Sequence, residues 1–181
     1  MKLATWNVNS IRARQDRVLG WVREHRPDVL CLQETKVEDD KFPGDEYAEL
    51  GYTLCLHGQK TYNGVAILTA HAITDVARGF DDGEDDPQAR FLAATIAGVR
   101  VMSAYVPNGE SVGSDKFAYK LRWLERLRAY LAKHVDKNRA AVLCGDFNVA
   151  PAPLDVWDEK VWQGNVLCTP QEREALGLAV G

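Results

Sequence analysis

Three apolar runs in this chain each end abruptly in a cluster of amide and acidic side chains. The runs cover residues 2–6, 28–32 and 140–144, and the side chains that follow them include Asn7, Glu34 and Asp146. Runs with almost no polar position are typical of strands that are buried on both faces. The polar residues are therefore expected where a central sheet reaches solvent, so the pattern favours a layered fold around a buried sheet.

The side chains that follow these runs have a chemistry in common. Carboxylates and carboxamides are hard oxygen ligands, which suit Mg²⁺ or Mn²⁺. A divalent cation held at a sheet edge is a common arrangement for phosphate chemistry. The clusters at the three strand ends are therefore suited to Mg²⁺ or Mn²⁺ and to phosphate chemistry around such an ion.

Composition and length limit the class of protein. The chain has 181 residues, of which 46% are hydrophobic and 27% charged, as expected for one domain covering residues 1–181. No apolar stretch approaches the roughly 20 residues that cross a bilayer, and no basic and apolar leader opens the chain. The expected location is therefore the cytoplasm, without membrane contact.

The cysteines and charges exclude some functions and leave others open. The four cysteines form no CxxC pair and are predicted to be buried thiols. The net charge of −4 gives no global basic footprint for nucleic acid. Acidic residues are concentrated at 81–86 and basic ones at Arg12, Arg14 and Arg17. These two segments are either a segregated electrostatic pattern or ordinary solvated surface.

Strand signals alternate with helix signals along the chain. An i, i+3, i+4 apolar stripe predicts a helix over Arg14–His25, and a longer stripe predicts one over residues 116–135. Further strands are predicted at 52–56, 65–69, 91–96 and 99–105. Thr169 to Glu172 has the form of a helix start, and only its first turn is expected before the last residues. The pattern is a mixed α/β one.

Five motifs in order resemble those of a known family. They are Asn7 after the first strand, Leu32-Gln33-Glu34-Thr35-Lys36, Tyr62-Asn63-Gly64-Val65-Ala66, Tyr105-Val106-Pro107-Asn108-Gly109 and Gly145-Asp146-Phe147-Asn148. The chain resembles the N-terminal portion of an exonuclease III-type apurinic/apyrimidinic endonuclease of the endonuclease/exonuclease/phosphatase superfamily. This resemblance implies an α/β fold, a two-layer β-sandwich flanked by helices, with the second sheet incomplete.

The resemblance also implies roles for individual residues. Glu34 would be a direct ligand of the catalytic Mg²⁺ or Mn²⁺, and Asn7 would orient that carboxylate or the water on the metal. Asp146 would prepare the attacking water, Asn148 would hold the phosphate or a neighbouring acid, and Tyr105 would point its hydroxyl at the scissile phosphate. The residues expected to bind substrate are Lys36, Asn63, Arg90, Asn108 and Lys120.

The implied activity is Mg²⁺-dependent hydrolysis of DNA phosphodiesters in base-excision repair, as an abasic-site endonuclease and 3′-5′ exonuclease. The partner would be double-stranded DNA with abasic sites or 3′ ends. The family's terminal Ser-Asp-His motif does not occur in the 181 residues. Impaired turnover and self-association through exposed sheet surface are therefore expected of this chain. Two alternatives remain open: a non-catalytic remnant that binds DNA or a partner, and a superfamily phosphatase acting on lipid or inositol phosphates.

Overall fold

The computed structural model describes all 181 residues, which fall into two compact units. The first unit comprises Met1–Tyr105 and Asp136–Asp146, and the second comprises Val106–Val135 and Phe147–Gly181. The division into units does not test the expectation of one domain over residues 1–181, which stays a prediction.

The first unit contains two four-stranded sheets. One sheet has the order β1-β2-β4-β3, with strands β1 (Leu3–Asn7), β2 (Val29–Gln33), β3 (Thr53–His57) and β4 (Val65–Thr69). The other has the order β5-β6-β7-β8, with strands β5 (Ile73–Arg78), β6 (Phe91–Ile96), β7 (Val99–Tyr105) and β8 (Ala141–Asp146). The β1/β2 and β7/β8 pairs are parallel, and the other pairs are antiparallel.

The two sheets pack face to face around a shared apolar core. Cys31 and Ile67 from the first sheet lie in one buried cluster with Leu92 and Val101 from the second. Every residue of β2 and of β4 is buried, as their apolar runs predicted. All four cysteines are buried and unpaired, which confirms the predicted thiols. The expected two-layer sandwich with flanking helices is thereby confirmed.

Helix α1 (Ile11–His25) covers the outer face of the first sheet. Its Val18 and Val22 are buried in a cluster with Leu30 and Leu68 of that sheet. The helix begins three residues before the expected Arg14, because Ser10 caps it by accepting a hydrogen bond from the Ala13 amide. Sequence periodicity did not find this start.

Besides a 3₁₀ turn at Asp39–Lys41, two elements of the first unit were not predicted. Strand β5 was missed because most of its residues are exposed and its pairing with β6 has an irregularity between Thr74 and Ala77. The short helix α2 (Asp45–Glu49) is one turn long and has no side-chain cap. Both lack the apolar periodicity that marks the longer elements.

The second unit contains three helices: α3 (Asp115–His134), α4 (Glu159–Trp162) and α5 (Pro170–Val180). Ser114 caps α3, and Thr169 forms a capping box with Glu172 at the start of α5. The expectation that only the first turn of α5 forms is wrong. The helix has 11 residues and packs against α3, with Leu176 and Ala179 buried.

Lys120 and Glu172 form a fully buried ion pair within the second unit. The Lys120 ammonium donates to Glu172 and to the main-chain oxygens of Asn108 and Asn148. The Glu172 carboxylate also accepts hydrogen bonds from the amide and hydroxyl of Thr169. Burying a charge is costly unless it is paired and hydrogen-bonded, and both charges here meet that condition. The pair therefore fixes the two polar loops of this unit to helix α5.

The structure has no helix that is both long enough and apolar enough to cross a membrane.

Gly145 allows β8 to approach β7 closely, one residue before Asp146. A Cβ atom at this position would lie 1.9 Å from the carbonyl oxygen of Ala104, and the φ of +145° disfavours any L side chain. We expect Gly145→Ala to destabilise the protein by about 3 kcal/mol through overpacking and backbone strain. Thermal unfolding measures this, with a fall in Tm of roughly 6–12 °C.

Gly20→Ala is the matched control for this substitution. Gly20 lies in α1, and a Cβ atom added there would have no neighbouring atom within 4 Å. Alanine at this position should stabilise the helix by about 0.5–1 kcal/mol. Equal effects of the two substitutions would contradict the steric account of Gly145.

Candidate active site

Four polar side chains lie where strands of the first unit end. Asn7 ends β1, Tyr105 ends β7, Asp146 ends β8, and Glu34 directly follows β2. The parallel register places Tyr105 opposite Asp146 in one sheet and Asn7 opposite the neighbour of Glu34 in the other. The same ends of these parallel pairs thus bring the four residues to one edge of the sandwich.

The Asn7 side chain joins the two sheets at this edge. Its amide nitrogen donates to Glu34 Oε1 at 2.8 Å and to Asp146 Oδ2 at 2.7 Å. Its carbonyl oxygen accepts a hydrogen bond from the Asn9 amide at 3.0 Å, which fixes the direction of the side chain. Both N–H bonds of one carboxamide therefore hold two carboxylates whose residues are separated by more than 100 positions in the sequence.

Glu34 has two further partners besides Asn7. Its Oε2 atom lies 2.9 Å from the Lys36 ammonium, and the Tyr105 hydroxyl is a further hydrogen-bond partner. Burial opposes ionisation, but the hydrogen bonds from Asn7, Lys36 and Tyr105 outweigh it and hold the pKa of Glu34 below its ordinary value. Glu34 is therefore an anion at neutral pH, as a metal ligand must be.

Tyr105 has the opposite shift. Burial, followed by the neighbouring Glu34 charge and the hydrogen bond to it, raises the pKa of Tyr105 to about 12. The hydroxyl therefore keeps its proton at neutral pH and acts as a donor. Arg90 lies over the Tyr105 ring, with the guanidinium carbon 4.5 Å from the ring centroid.

Two residues predicted to bind substrate have internal partners in the first unit. The Lys36 ammonium contacts Glu34 and the Asn9 side chain, so it lies beside the cluster that contains Glu34 and Asp146. Asn63 is 8% exposed, and its amide nitrogen donates to Gln59 and Gln88. Its nitrogen is thus committed to the protein and does not face a ligand.

The remaining predicted residues lie in the second unit. Asn148 donates from its amide nitrogen to the Val106 carbonyl at 2.9 Å, and the exposed Asn108 closes a turn by accepting from the Glu110 amide. Lys120 is 0% exposed, with its ammonium bonded inside the protein. The predicted contact of Lys120 with substrate is therefore corrected to a structural role. The sequence could not show this, because the partner Glu172 lies 52 residues away.

The sequence pattern assigned no role to Asn9 or Gln88. Asn9 belongs to the same polar cluster as Asn7, and that proximity was the available signal. Gln88 lies in a loop between strands, two residues before Arg90, and nothing in the pattern distinguishes it. Its oxygen accepts a hydrogen bond from Arg90 Nε at 2.7 Å.

The site offers the Glu34 and Asp146 carboxylates as oxygen donors for a metal ion. Mg²⁺ is commonly held by one or two carboxylates and several waters, and these two side chains fit that description. No group of three or more histidine, cysteine, aspartate or glutamate side chains that could hold a metal ion occurs in the structure.

The four histidines make their contacts away from these residues. His25 stacks on Trp21 and His134 on Tyr130. His57 bonds the Phe91 carbonyl, and His71 pairs with Asp28. Each imidazole thus has a partner elsewhere in the fold.

Comparisons with known proteins agree with this geometry. Exodeoxyribonuclease III of Haemophilus influenzae is 35% identical over 96% of this chain, which spans 69% of that protein. An AP endonuclease structure from Archaeoglobus fulgidus is 45% identical, with a TM-score of 0.95 over 99% of this chain and 70% of that one. A 3′-5′ exonuclease structure from Neisseria meningitidis is 40% identical, with a TM-score of 0.96 at the same coverage.

A family model matches as well. The model described as the Endonuclease/Exonuclease/phosphatase family covers residues 4–165, which include nearly all of the strand residues and the polar site. The family model covers most of the chain, and the relatives are similar over nearly all of it. This chain therefore belongs to the Endonuclease/Exonuclease/phosphatase family.

Proposed function

We propose that this protein hydrolyses DNA phosphodiesters with the help of Mg²⁺ or Mn²⁺, at abasic sites and at 3′ ends, in base-excision repair. The observation that carries the proposal is the Asn7 carboxamide, which holds the Glu34 and Asp146 carboxylates at one sheet edge. The names of the relatives, an exodeoxyribonuclease and an AP endonuclease, favour DNA over other phosphodiesters.

Glu34 would hold the metal ion. It is anionic at neutral pH, and its position is fixed by hydrogen bonds from three neighbours. Asn7 turns its N–H groups toward the carboxylates, so its role would be to orient Glu34. When bound, the cation would offset negative charge on the phosphate.

Asp146 and Tyr105 would act on the water and on the phosphate. A water molecule oriented by Asp146 would attack phosphorus, with its proton passing to the carboxylate as the P–O bond to the leaving oxygen breaks. Tyr105 keeps its proton at neutral pH and would donate a hydrogen bond to a phosphate oxygen. Asn148 lies in the second unit, and its predicted contact with the phosphate stays a prediction.

The contacts of the histidines favour a second candidate function, which is binding without efficient cleavage. A phosphate-contacting imidazole would aid turnover, yet each of the four histidines has partners away from Glu34. The 181 residues could therefore bind DNA or a partner without cutting efficiently. Weak turnover, self-association, a cytoplasmic location and the absence of membrane contact stay predictions.

Asn7→Asp tests the electrostatics of the site without any metal. The substitution keeps the shape but removes both N–H donors and brings a third carboxylate to the other two. Charge-assisted hydrogen bonds contribute about 1.5–3 kcal/mol each. We therefore expect the free energy of unfolding to fall by about 3 kcal/mol at pH 7, in buffer that contains a metal chelator. Thermal unfolding should show a Tm fall of roughly 6–12 °C.

The Tm deficit of Asn7→Asp should depend on pH, because it arises from repulsion between carboxylates. Three adjacent carboxylates raise one pKa, so protonation near pH 5 restores a donor and the deficit relative to the wild type should shrink. The wild type should lose the Glu34 contribution only below the ordinary pKa of 4.5, because its folded pKa is lowered. Asn138 also donates from its side chain to a carboxylate, that of Asp136, but it does so in an exposed turn. Asn138→Asp should therefore change Tm little, because solvent screens the exposed charges. A deficit of Asn7→Asp that is independent of pH would contradict the account.

A substrate panel tests the function itself. Purified 181-residue protein with Mg²⁺ would be given duplex DNA with one abasic site, duplex with recessed 3′ ends, an inositol phosphate and intact duplex. We expect cleavage of the first two only, and Glu34→Gln should reduce it about 100-fold or more, since it removes the metal-binding charge.

The panel also separates the alternatives. Hydrolysis of the inositol phosphate with intact abasic DNA would favour the phosphatase alternative. Metal-dependent binding of abasic DNA without cleavage would favour the non-catalytic module. If the protein neither binds nor cleaves any of the DNA substrates, the proposal is overturned.

A further inference from the structure

We propose that Gln88 is a positioning residue that acts through Arg90 to hold the Tyr105 ring in its working orientation. The proposal rests on the proposed function, in which the Tyr105 hydroxyl faces the phosphate. It also changes the role of Arg90, which was predicted to contact substrate. All the residues concerned lie in the first unit.

Gln88 holds the edge of the Arg90 guanidinium. Its Oε1 atom accepts a hydrogen bond from Arg90 Nε at 2.7 Å, within the normal range for a strong N–H···O bond. The Gln88 main-chain amide donates to the Asp86 carboxylate at 3.0 Å, so the backbone at this point is also fixed. A planar guanidinium held at Nε has little freedom to rotate.

Arg90 in turn holds the ring and main chain of Tyr105 in three ways. Its guanidinium carbon lies 4.5 Å from the ring centroid, its Nη1 atom donates to the Tyr105 carbonyl at 3.2 Å, and the Tyr105 amide donates to the Arg90 carbonyl at 2.8 Å. A cation over the face of an aromatic ring is favourable, more so when partly desolvated. The face of the ring is therefore clamped at one side of the active site.

The hydroxyl end of Tyr105 is hydrogen-bonded to Glu34 and also to the Arg90 side chain. Substrate or metal at Glu34 would compete for the bond to Glu34, and the ring would then depend on Arg90 to keep its direction. Prior orientation of a reacting group lowers the entropic cost of the reaction. The Gln88–Arg90 contact supplies that orientation from behind the ring.

The neighbouring loop fixes the position of Gln88. Gln59 accepts hydrogen bonds from the Asn63 side chain and the Ala89 amide, both at 2.8 Å. The Gly64 amide donates to the Ala89 carbonyl at 2.9 Å. Ala89 is 2% exposed, so the segment between Gln88 and Arg90 is anchored in the core. Gln88 is thus part of a rigid support and not a mobile loop side chain.

Salt dependence distinguishes positioning from phosphate contact. An arginine that neutralises one DNA phosphate contributes about 0.9 to the slope of log K against log salt concentration. Gln88 is uncharged and acts behind the ring, so Gln88→Leu should leave that slope unchanged. Its effect should appear in kcat instead, because only the orientation of a reacting group is disturbed.

The experiment compares four variants on duplex DNA with an abasic site: Gln88→Leu, Gln88→Glu, Tyr105→Phe and the double variant that combines Gln88→Leu with Tyr105→Phe. We expect Gln88→Leu to lower kcat about 10-fold with KM within about two-fold. Gln88→Glu keeps an oxygen acceptor for Arg90 and should restore most of the activity. On the Tyr105→Phe background, Gln88→Leu should add no further loss, since the hydroxyl being positioned is absent.

The matched control is Gln163→Leu, which changes an exposed glutamine at the end of α4 and should leave kcat unchanged. Three results would overturn the proposal: a multiplicative loss in the double variant, a changed salt slope in Gln88→Leu, or failure of Gln88→Glu to restore kcat. If Gln88→Leu does not fold, the Gln88→Glu kcat decides, because a value well below the wild type also contradicts the proposal.

A readout without activity separates this proposal from the proposed function. Tyrosine ring signals in an NMR spectrum of the ¹³C-tyrosine-labelled chain can be assigned to Tyr105 by their absence in Tyr105→Phe. Gln88→Leu should shift or broaden those signals, and Gln88→Glu and Gln163→Leu should not. Unperturbed Tyr105 signals in Gln88→Leu would overturn the positioning role, even if every variant and the wild type prove inactive. An inactive wild type with perturbed signals would count against the nuclease proposal alone.

Discussion

The site depends on one carboxamide. The Asn7 nitrogen donates to Glu34, which follows β2 of the first sheet, and to Asp146, which ends β8 of the second. Two carboxylates brought close together repel each other unless donors lie between them. The Asn7 carboxamide supplies one N–H bond to each of them. The strand ends place the residues, and this amide joins their side chains.

The remaining contacts act on the same two charges. Lys36 and Tyr105 add donors to Glu34. Burial and then the Glu34 charge raise the pKa of Tyr105, while the hydrogen bonds from Asn7, Lys36 and Tyr105 outweigh burial and lower the pKa of Glu34. The result is an anion beside a protonated hydroxyl at neutral pH. That pairing suits a site that must attract a cation while donating a hydrogen bond to phosphate. The net charge of −4 does not prevent this, because the field at the site depends on the local arrangement of charges.

The sequence was sufficient for features that leave a local pattern. Strands β4, β6 and β7 begin and end where their apolar runs predicted, because most of their positions are buried and apolar. Asn7, Glu34 and Asp146 were found because polar residues interrupted such runs at their ends. The exposed β5 offered no such contrast, so it was missed.

Features that depend on distant partners could not be predicted in this way. Lys120 has the sequence context of a surface lysine, and its burial follows from Glu172 and the packing of α5, which was not predicted to extend beyond its first turn. Gln88 is significant only because Arg90 lies over Tyr105, a contact set by the pairing of β6 with β7. Tertiary packing decided both cases.

Locating a bound cation tests the central claim most directly. Crystals of the 181-residue protein soaked in MnCl₂ would show the metal by its anomalous scattering. We expect one strong peak within coordination distance of a Glu34 oxygen, on the side toward Asp146. A peak only at the acidic segment 81–86, or Glu34 and Asp146 carboxylates that lie apart without Asn7 between them, would contradict the claim.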